Sequence, residues 1–270
     1  MIFKLNLIKG LDMKCIIILG SKPYVKIPAG DIIYSANGAT FINKITPQDF
    51  TKHINVAHVY ALSKGLEQKS SQALHSLKLK EVHDNKFERL VLFQSSRDNG
   101  KTNKLKKYLE NTHHEEIEVI TFCEQRKIVR EIGKRGYPII NKYFFYKLPS
   151  KKIRDGIRII KALISWRYGR GYIDVGTNYR PSTGILALLI AIKENGPTAQ
   201  YILCGVGIKN RNQFLIDNQI LLNNPHNKNA ATQHSYADQI LLKSLSTRFN
   251  LQTVEKELYH ILPKYKNKIK

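Results

Sequence analysis

Cysteine and acidic residues are scarce in this chain of 270 residues. Its three cysteines, Cys15, Cys123 and Cys204, lack Cys-x-x-Cys spacing and lie in apolar runs typical of strands. We therefore expect buried thiols, and neither a disulfide framework nor a zinc site. No apolar run reaches the ~18–20 residues that span a bilayer. The short, mixed N-terminal stretch also lacks the apolar core of a secretory signal, so we expect a cytoplasmic protein.

The shortage of acids leaves a large positive charge. Lysine and arginine together number 44 against 21 acidic residues, a formal net charge of +23. Such a charge indicates an anionic partner, which could be nucleic acid, an anionic membrane surface or an anionic small molecule. A nucleic-acid partner is disfavoured because no helix-turn-helix, RRM or zinc signature is present.

Short apolar runs recur along the chain and predict strands. They are KCIIILGSKP, DIIYSANGA, NVAHVYALS, RLVLFQSS and EIEVITF, with YILCGVG and LQTVE later in the sequence. Polar segments separate them, which predicts a Rossmann-like α/β fold with a mainly parallel sheet flanked by helices. We expect a single domain over 1–262, followed by a basic tail, 263–270, that has little reason to pack.

The ends of the first two predicted strands carry small and polar residues. Gly20 and Ser21 follow the first strand, and Asn37 and Gly38 follow the second. Ligands of parallel sheets bind beyond the carboxyl ends of strands, so these four residues are candidates for a binding site. No Gly-x-Gly-x-x-Gly follows the first strand, and the dinucleotide fingerprint is therefore absent.

The middle of the chain, about 124–178, is its most basic part and predicts a helical insertion or lid. Ile153, Ile157, Ile160 and Ile164 repeat at helical spacing, while several lysines and arginines fall elsewhere on the same helix. Three interpretations stay open for this basic amphipathic helix: a solvated face, a helix that docks on an anionic surface, and a nucleic-acid patch.

A second helix is predicted to begin near Gly184. Ser182 or Thr183 can cap it, and its first N–H groups carry partial positive charge. With Arg180 beside them, these groups suit a phosphate or a carboxylate. The alternative is a capped core helix with a surface arginine.

A third helix is predicted in HSYADQILLKSLSTRF. Ser235 and Asp238 form an S-x-x-D capping pattern, and His234 precedes them. A helix N-terminus disfavours the imidazolium, so His234 could serve as a neutral general base. The alternative is a surface histidine before a capped helix.

Taken in order, these blocks resemble the bacterial sialyltransferases of glycosyltransferase family 42 and related cytidine-monophosphate-sugar transferases. In that family a strand leads to a Gly-Asn-Gly-Pro-like turn and a second strand ends in asparagine. An Arg-x-Thr-Ser-Gly motif opens a helix, a strand ends in a Ser-Gly-Ile-Asp-like turn, and a His-Ser-x-x-x-Asp-like motif opens another helix. The matching blocks lie within 14–42, 179–208 and 233–255, and the middle of the chain is not matched.

The resemblance implies roles for individual residues. Gly20 and Ser21 correspond to the donor-nucleotide turn, and Asn37 to the donor-contacting asparagine. Arg180, Ser182 and Thr183 correspond to the arginine and hydroxyl pair near the reacting sugar, and His234 to the general base. Three positions depart from the pattern: Ser21 replaces an asparagine, Gly207 replaces an aspartate, and the tyrosines that neutralise the leaving phosphate have no counterpart. Lys209 or Arg211 could supply that charge instead.

The activity implied is that of an inverting glycosyltransferase with a sialyltransferase-like variant of the GT-A fold, which needs no metal and no cofactor. Its donor would be a cytidine-monophosphate (CMP) sugar carrying sialic acid or a related 2-keto-3-deoxy sugar such as Kdo. Its acceptor would be a bacterial surface glycan, including a lipid-linked one, as in lipopolysaccharide or capsule synthesis. Attachment to the inner face of the membrane fits the charge. A nucleic-acid-binding protein and a Rossmann-like enzyme that uses another nucleotide remain the alternatives.

Overall fold

Runs of isoleucine, valine and leucine form the strands of one sheet. The computed structural model describes residues 13–22, 25–39, 50–67, 73–94, 99–110, 112, 114–141, 144, 153–167, 179–208 and 234–266. Its strands are β1 Cys15–Leu19, β2 Ile32–Ala36, β3 Lys52–His58, β4 Arg89–Phe93, β5 Glu116–Ile120, β6 Gln200–Cys204 and β7 Asn250–Thr253. Helices cover both faces of the sheet, so the inner strands are buried on both sides and need unbroken apolar runs.

The strand order is β5–β4–β3–β2–β1–β6–β7, and every neighbouring pair is parallel. The chain adds strands outward from β1 to β5 and then returns to the other side of β1 for β6 and β7. This reversal creates a topological switch point between β1 and β6, where open α/β sheets bind their ligands beyond the carboxyl ends of the strands. The predicted Rossmann-like α/β fold is confirmed.

The helices form two layers, one on each face of the sheet. They are α1 Val59–Gly65, α2 Ala73–Asp84, α3 Asn99–Leu109, α4 Phe122–Glu131, α5 Ile153–Arg167, α6 Thr183–Asn195 and α7 Ser235–Ser246. Helices α4 to α7 share one apolar cluster with Ile16 and Ile18, whereas α1 to α3 pack on the opposite face against Leu90 and Leu92. Within the described part of the chain, no helix is long and apolar enough to cross a membrane.

Helix α6 is the central helix of its layer. All nine residues from Gly184 to Ile192 are buried, because the helix contacts β1, β2 and β3 on one side and α4 on the other. Such a position requires a helix that is apolar all round. The Ser182 Oγ accepts a hydrogen bond of 3.4 Å from the Ile185 N–H, so the predicted cap is confirmed.

A polar network holds the C-terminal end of α6 against the sheet. The Tyr34 hydroxyl donates to the Glu194 carboxylate at 2.6 Å and accepts from the Asn195 side chain at 3.0 Å. Arg89 pairs with both Glu194 and Glu118. Burial, and then the Glu194 carboxylate, raise the pKa of Tyr34. Because one end of α6 is fixed in this way, its N-terminal end has a defined position at the opposite edge of the sheet.

The third predicted strand is wrong in its second half. The sequence predicts a strand over 55–63, but β3 runs from Lys52 to His58 and α1 follows at Val59. Pairing with β2 in register, from Ile32 and Lys52 onward, determines where the strand begins. The β-branched and aromatic residues at the start of α1 look strand-like locally, and packing of the helix on α2 overrides that preference.

The C-terminal residues also differ from expectation. The Thr253 N–H donates to the Pro263 carbonyl at 3.0 Å, and the Tyr265 N–H donates to the Thr253 carbonyl at 2.8 Å. Tyr265 packs on the apolar cluster that contains Ile17 and Leu19. The start of the predicted tail therefore packs alongside β7, and 267–270 lie outside the described residues.

The expectation of three buried thiols holds for Cys204 only. Cys15 is half-buried, and Cys123 is exposed. The reason is that Cys123 lies in the first turn of α4, between the two residues of its capping box, Thr121 and Glu124, and not in a strand. Burial raises the pKa of both the Cys204 and Cys15 thiols.

We predict that Gly20→Ala destabilises the fold. A Cβ at Gly20 would lie 2.2 Å from the Gly205 carbonyl oxygen and 2.8 Å from the Val206 nitrogen, both main-chain atoms. Relieving this overlap must shift the end of β6, at a cost of about 1–3 kcal/mol. Gly136→Ala is the control, because a Cβ there meets no atom within 4 Å. Thermal melts that coincide for the two variants would contradict the prediction.

Candidate functional site

The carboxyl ends of the central strands and the first turns of two helices meet at one edge of the sheet. A Cβ placed on Gly184, in the first turn of α6, would lie 4.0 Å from the Gly20 Cα and 3.4 Å from the Val206 side chain. The ends of β1 and β6 therefore lie directly against the start of α6. The predicted residues Gly20 and Gly184 are therefore neighbours, and Gly20 is the one with no room for a side chain, whereas a Cβ on Gly184 would make only ordinary contacts.

His234 and Arg180 are brought together at this edge. The His234 Nδ1 lies 3.0 Å from the Arg180 carbonyl oxygen. A carbonyl can only accept, so Nδ1 must carry the proton in this contact. In the neutral ring, Nε2 then holds a lone pair and is the proton acceptor. The geometry thus gives His234 the tautomer that a general base needs.

Asp238 joins the first turns of α6 and α7. Its carboxyl is fully buried and accepts a hydrogen bond of 2.8 Å from the Ser182 N–H. The partial positive charges at the two helix N-termini favour a carboxylate here. The predicted capping role of Asp238 with Ser235 is wrong: His234 occupies the N-cap position, and α7 has no side-chain cap bond.

Helix α6 presents main-chain donors at the site. The Ser182 N–H is bound by Asp238, and the Ile185 N–H by the Ser182 side chain. The N–H groups of Thr183 and Gly184 have no hydrogen-bond partner among the described residues. The expected anion-binding helix start therefore consists of two adjacent N–H groups, and Arg180 lies three positions before the first of them.

His58 is a site residue that the sequence analysis missed. It ends β3 at the same edge and lies beside the Phe93 ring, with 5.9 Å between ring centroids. Burial lowers the pKa of His58 to about 3, with further lowering by the charge of Arg180. His58 is consequently neutral at physiological pH. Its place at a strand end could not be read from the sequence, because the predicted strand continues to residue 63, whereas β3 ends at His58.

Asn37 and Gly38 form a left-handed turn beside Glu81. Their φ angles are 54° and 75°, and a Cβ on Gly38 would lie 2.9 Å from the Glu81 Cβ. The Asn37 Oδ1 and the Glu81 Oε2 are buried without a hydrogen-bond partner among the described residues. Burial raises the pKa of Glu81 to about 7, while Lys78 lowers it. The turn thus holds one buried amide oxygen without a partner among the described residues and lies against a buried carboxyl group that can carry a proton.

The ends of β1, β6 and β7 are tied together by Glu255. Its carboxylate accepts from the Gly205 N–H at 2.8 Å and pairs with the Lys22 ammonium at 2.6 Å. The Gly20 N–H donates to the Cys204 carbonyl at 2.8 Å. The main chain of Gly20 therefore joins two strand ends, and the next residue, Ser21, is partly exposed.

The remaining predicted residues divide into two groups. Arg180, Ser182 and Thr183 lie together at the His234 side of the site, whereas Asn37 and Gly38 lie at the Glu81 side. Lys209 and Arg211 lie outside the described residues. The part of the chain that the structure describes contains no group of three His, Cys, Asp or Glu side chains arranged to hold a metal ion.

Aromatic side chains support the start of both helices. Tyr179 precedes Arg180, and its ring meets that of Tyr236 edge to face at 5.9 Å. The Tyr179 hydroxyl donates to Asp155 on α5, and the Tyr236 hydroxyl accepts from the Asn141 N–H, both at 2.9 Å. These contacts connect α5 and the segment before it to the residues that carry Arg180 and His234.

Comparison with models of protein families, with curated proteins and with solved structures found no match to this chain. The chemistry of this edge is therefore inferred from its residues. Those residues combine a histidine in the base tautomer, two N–H donors and an arginine at the carboxyl edge of a parallel sheet.

We predict that Glu81 makes the stability of the protein pH-dependent. The folded state keeps the Glu81 proton to a higher pH than the unfolded chain does. The free energy of unfolding should therefore fall as the pH rises from the ordinary glutamate range towards about 7. Glu81→Gln removes this titration, so urea melts should show the variant losing less stability than the wild type between about pH 5 and pH 8.

Glu110→Gln, which changes an exposed glutamate, is the matched control and should follow the wild type across the same range. Parallel pH profiles for the Glu81→Gln variant and the wild type would show that Glu81 titrates alike in both states.

Proposed function

We propose that the protein is an inverting, metal-independent glycosyltransferase. It transfers sialic acid or a related 2-keto-3-deoxy sugar from a CMP donor to a hydroxyl of a bacterial surface glycan. The observation that carries the proposal is the contact between the His234 Nδ1 and the Arg180 carbonyl at the switch-point edge. It combines a base and a cation at the starts of two helices, where parallel α/β sheets bind nucleotides.

The order of motifs supports the same proposal. The resemblance to family 42 assigns the base to His234 and the arginine near the reacting sugar to Arg180. In the sequence 54 residues separate the two positions, and in the fold they touch. Agreement between a motif order and an independent spatial contact is stronger support than either observation alone.

The acceptor hydroxyl loses its proton to the Nε2 of His234 in the proposed reaction. Its oxygen forms a bond to the anomeric carbon while the bond from that carbon to the phosphate oxygen breaks. Attack from the face opposite the leaving group inverts the configuration. The transition state resembles an oxocarbenium ion, and CMP departs with the electron pair of the broken bond.

The leaving phosphate requires positive partners in this scheme. The Thr183 and Gly184 N–H groups and the Arg180 guanidinium supply them at the start of α6, where the helix dipole adds partial positive charge. Donors aimed at the site where charge develops stabilise the transition state more than the ground state. His58, held neutral beside Arg180, adds bulk to the site without a competing charge.

We predict that CMP binds without a divalent metal. The phosphate has main-chain N–H groups and an arginine as its partners, so EDTA should leave binding unchanged. CMP at about 100 times its Kd should add about 2.7 kcal/mol to the free energy of unfolding. The test compares the shift in melting temperature produced by CMP, by adenosine monophosphate and by a random oligonucleotide, each with and without EDTA. Stabilisation by the oligonucleotide alone would instead favour a nucleic-acid-binding protein.

We predict that His234→Ala lowers the rate of sugar transfer roughly 10²–10⁴-fold, the usual contribution of a general base. CMP affinity should change little, since Nε2 faces the acceptor. Transfer by the wild type should decline at acid pH as the imidazole gains a proton, and the variant should lack this decline. His260→Ala, at an exposed histidine, is the control and should behave as the wild type does.

Arg180→Ala distinguishes the role of the phosphate-binding cation from that of the base. Loss of the guanidinium should weaken CMP binding as well as sugar transfer, because in this scheme the cation contacts the phosphate both in the bound ground state and in the transition state. A normal rate of sugar transfer by the His234→Ala enzyme at neutral pH would contradict the assignment of His234 as the general base.

A further inference from the structure

Helix α5 exposes a stripe of large apolar side chains to solvent. Ile153, Ile157, Ile160, Leu163 and Ile164 are each between 41% and 51% exposed. Five of the nine large apolar or aromatic side chains that the described residues expose lie on this one helix. Scattered exposed apolar residues are ordinary, but a contiguous patch marks an interaction surface.

The other side of α5 packs on the protein and fixes the direction of the stripe. Ile159 and Ala162 are fully buried in the cluster shared with α6 and α7. Trp166, at the end of the helix, packs against Phe122 and Tyr137. At 100° per residue the four isoleucines lie roughly opposite Ile159 and Ala162. The stripe is therefore the outward side of a helix that is already held by its inner side.

Exposed cations accompany the stripe along one flank. Arg154, Arg158 and Lys161 are exposed and lie about 70–130° around the helix from the mean direction of the four isoleucines. The one acid of the helix, Asp155, accepts the Tyr179 hydroxyl bond on the inner side. The outward surface of α5 consequently combines apolar side chains with positive charge and carries no acid.

We propose that α5 docks the protein on an anionic lipid bilayer. The helix lies in the plane of the surface, with its isoleucines inserted at the boundary of headgroups and acyl chains and its cations among the phosphates. A helix with an apolar face and a basic flank binds in this way. The stripe from Ile153 to Ile164 is about 16 Å long, enough for three turns of contact.

The charge of the chain favours an anionic bilayer, and not a second copy of the protein, as the partner of this surface. Two copies that met through this surface would bring two sets of cations together, in a protein whose net charge is already +23. A bilayer rich in phosphatidylglycerol offers both acyl chains and negative headgroups. The proposal does not depend on the glycosyltransferase assignment, and its test measures no catalysis.

Co-sedimentation of the full chain with vesicles tests the proposal. The wild type should bind vesicles of phosphatidylcholine with about one third phosphatidylglycerol far more tightly than pure phosphatidylcholine, and high salt should weaken the binding. Arg154→Gln/Lys161→Gln should lower affinity for the anionic vesicles about tenfold or more. Lys106→Gln/Lys107→Gln on α3 removes the same charge from another exposed site and should have a smaller effect.

Ile157→Ser/Ile160→Ser tests the apolar stripe at unchanged net charge. Both side chains are about half exposed, so the variant should melt close to the wild type while its vesicle binding falls as steeply as that of the charge variant. Equal binding to neutral and anionic vesicles, or wild-type binding by this variant, would overturn the proposal. So would a wild-type dimer in light scattering that the isoleucine changes dissociate, or tighter binding to an oligonucleotide than to anionic vesicles.

Discussion

The Ser182 N–H donates a hydrogen bond of 2.8 Å to the fully buried carboxyl of Asp238, and this contact joins the first turns of two helices. It aligns α6 with α7, so that His234 reaches the Arg180 carbonyl and takes the base tautomer. A hydrogen bond to a charged group is worth about 1.5–3 kcal/mol. Its larger consequence is geometric, because the proposed base and the proposed phosphate-binding helix start both depend on it.

The sheet supplies the other half of the site through the ends of its strands. Gly20 and Gly205 let the ends of β1 and β6 touch, and Glu255 fastens the end of β6 to Lys22. These contacts fix the ends of β1 and β6 at the switch point, and the start of α6 packs against them. A site built on strand ends and helix starts keeps its donors in place before the ligand arrives, which is what electrostatic stabilisation of a transition state requires.

Local patterns predicted seven strand segments, the helices α5, α6 and α7 and the cap at Ser182, because apolar periodicity and capping patterns each involve only a few neighbouring residues. These patterns failed where contacts between residues distant in the sequence determine a side chain's partner, its pKa or the direction it faces. Asp238 matches a local capping pattern, yet it binds Ser182 across the interface of two helices. His58 and Glu81 acquire shifted pKa values only from burial in the folded chain. The isoleucines of α5 have the period of a core-facing stripe, but their outward direction depends on which side of the helix the body of the protein covers.

The central claim is that a nucleotide binds at the edge where the ends of β1 and β2 meet the starts of α6 and α7. Hydrogen–deuterium exchange with and without CMP tests it directly, since it reports where main-chain N–H groups become protected. The account predicts slower exchange in peptides containing Ser21, Asn37, Thr183 to Ile185 and His234, with α5 unchanged. Protection confined to α5 or to the opposite edge of the sheet, or no protection at saturating CMP, would contradict it.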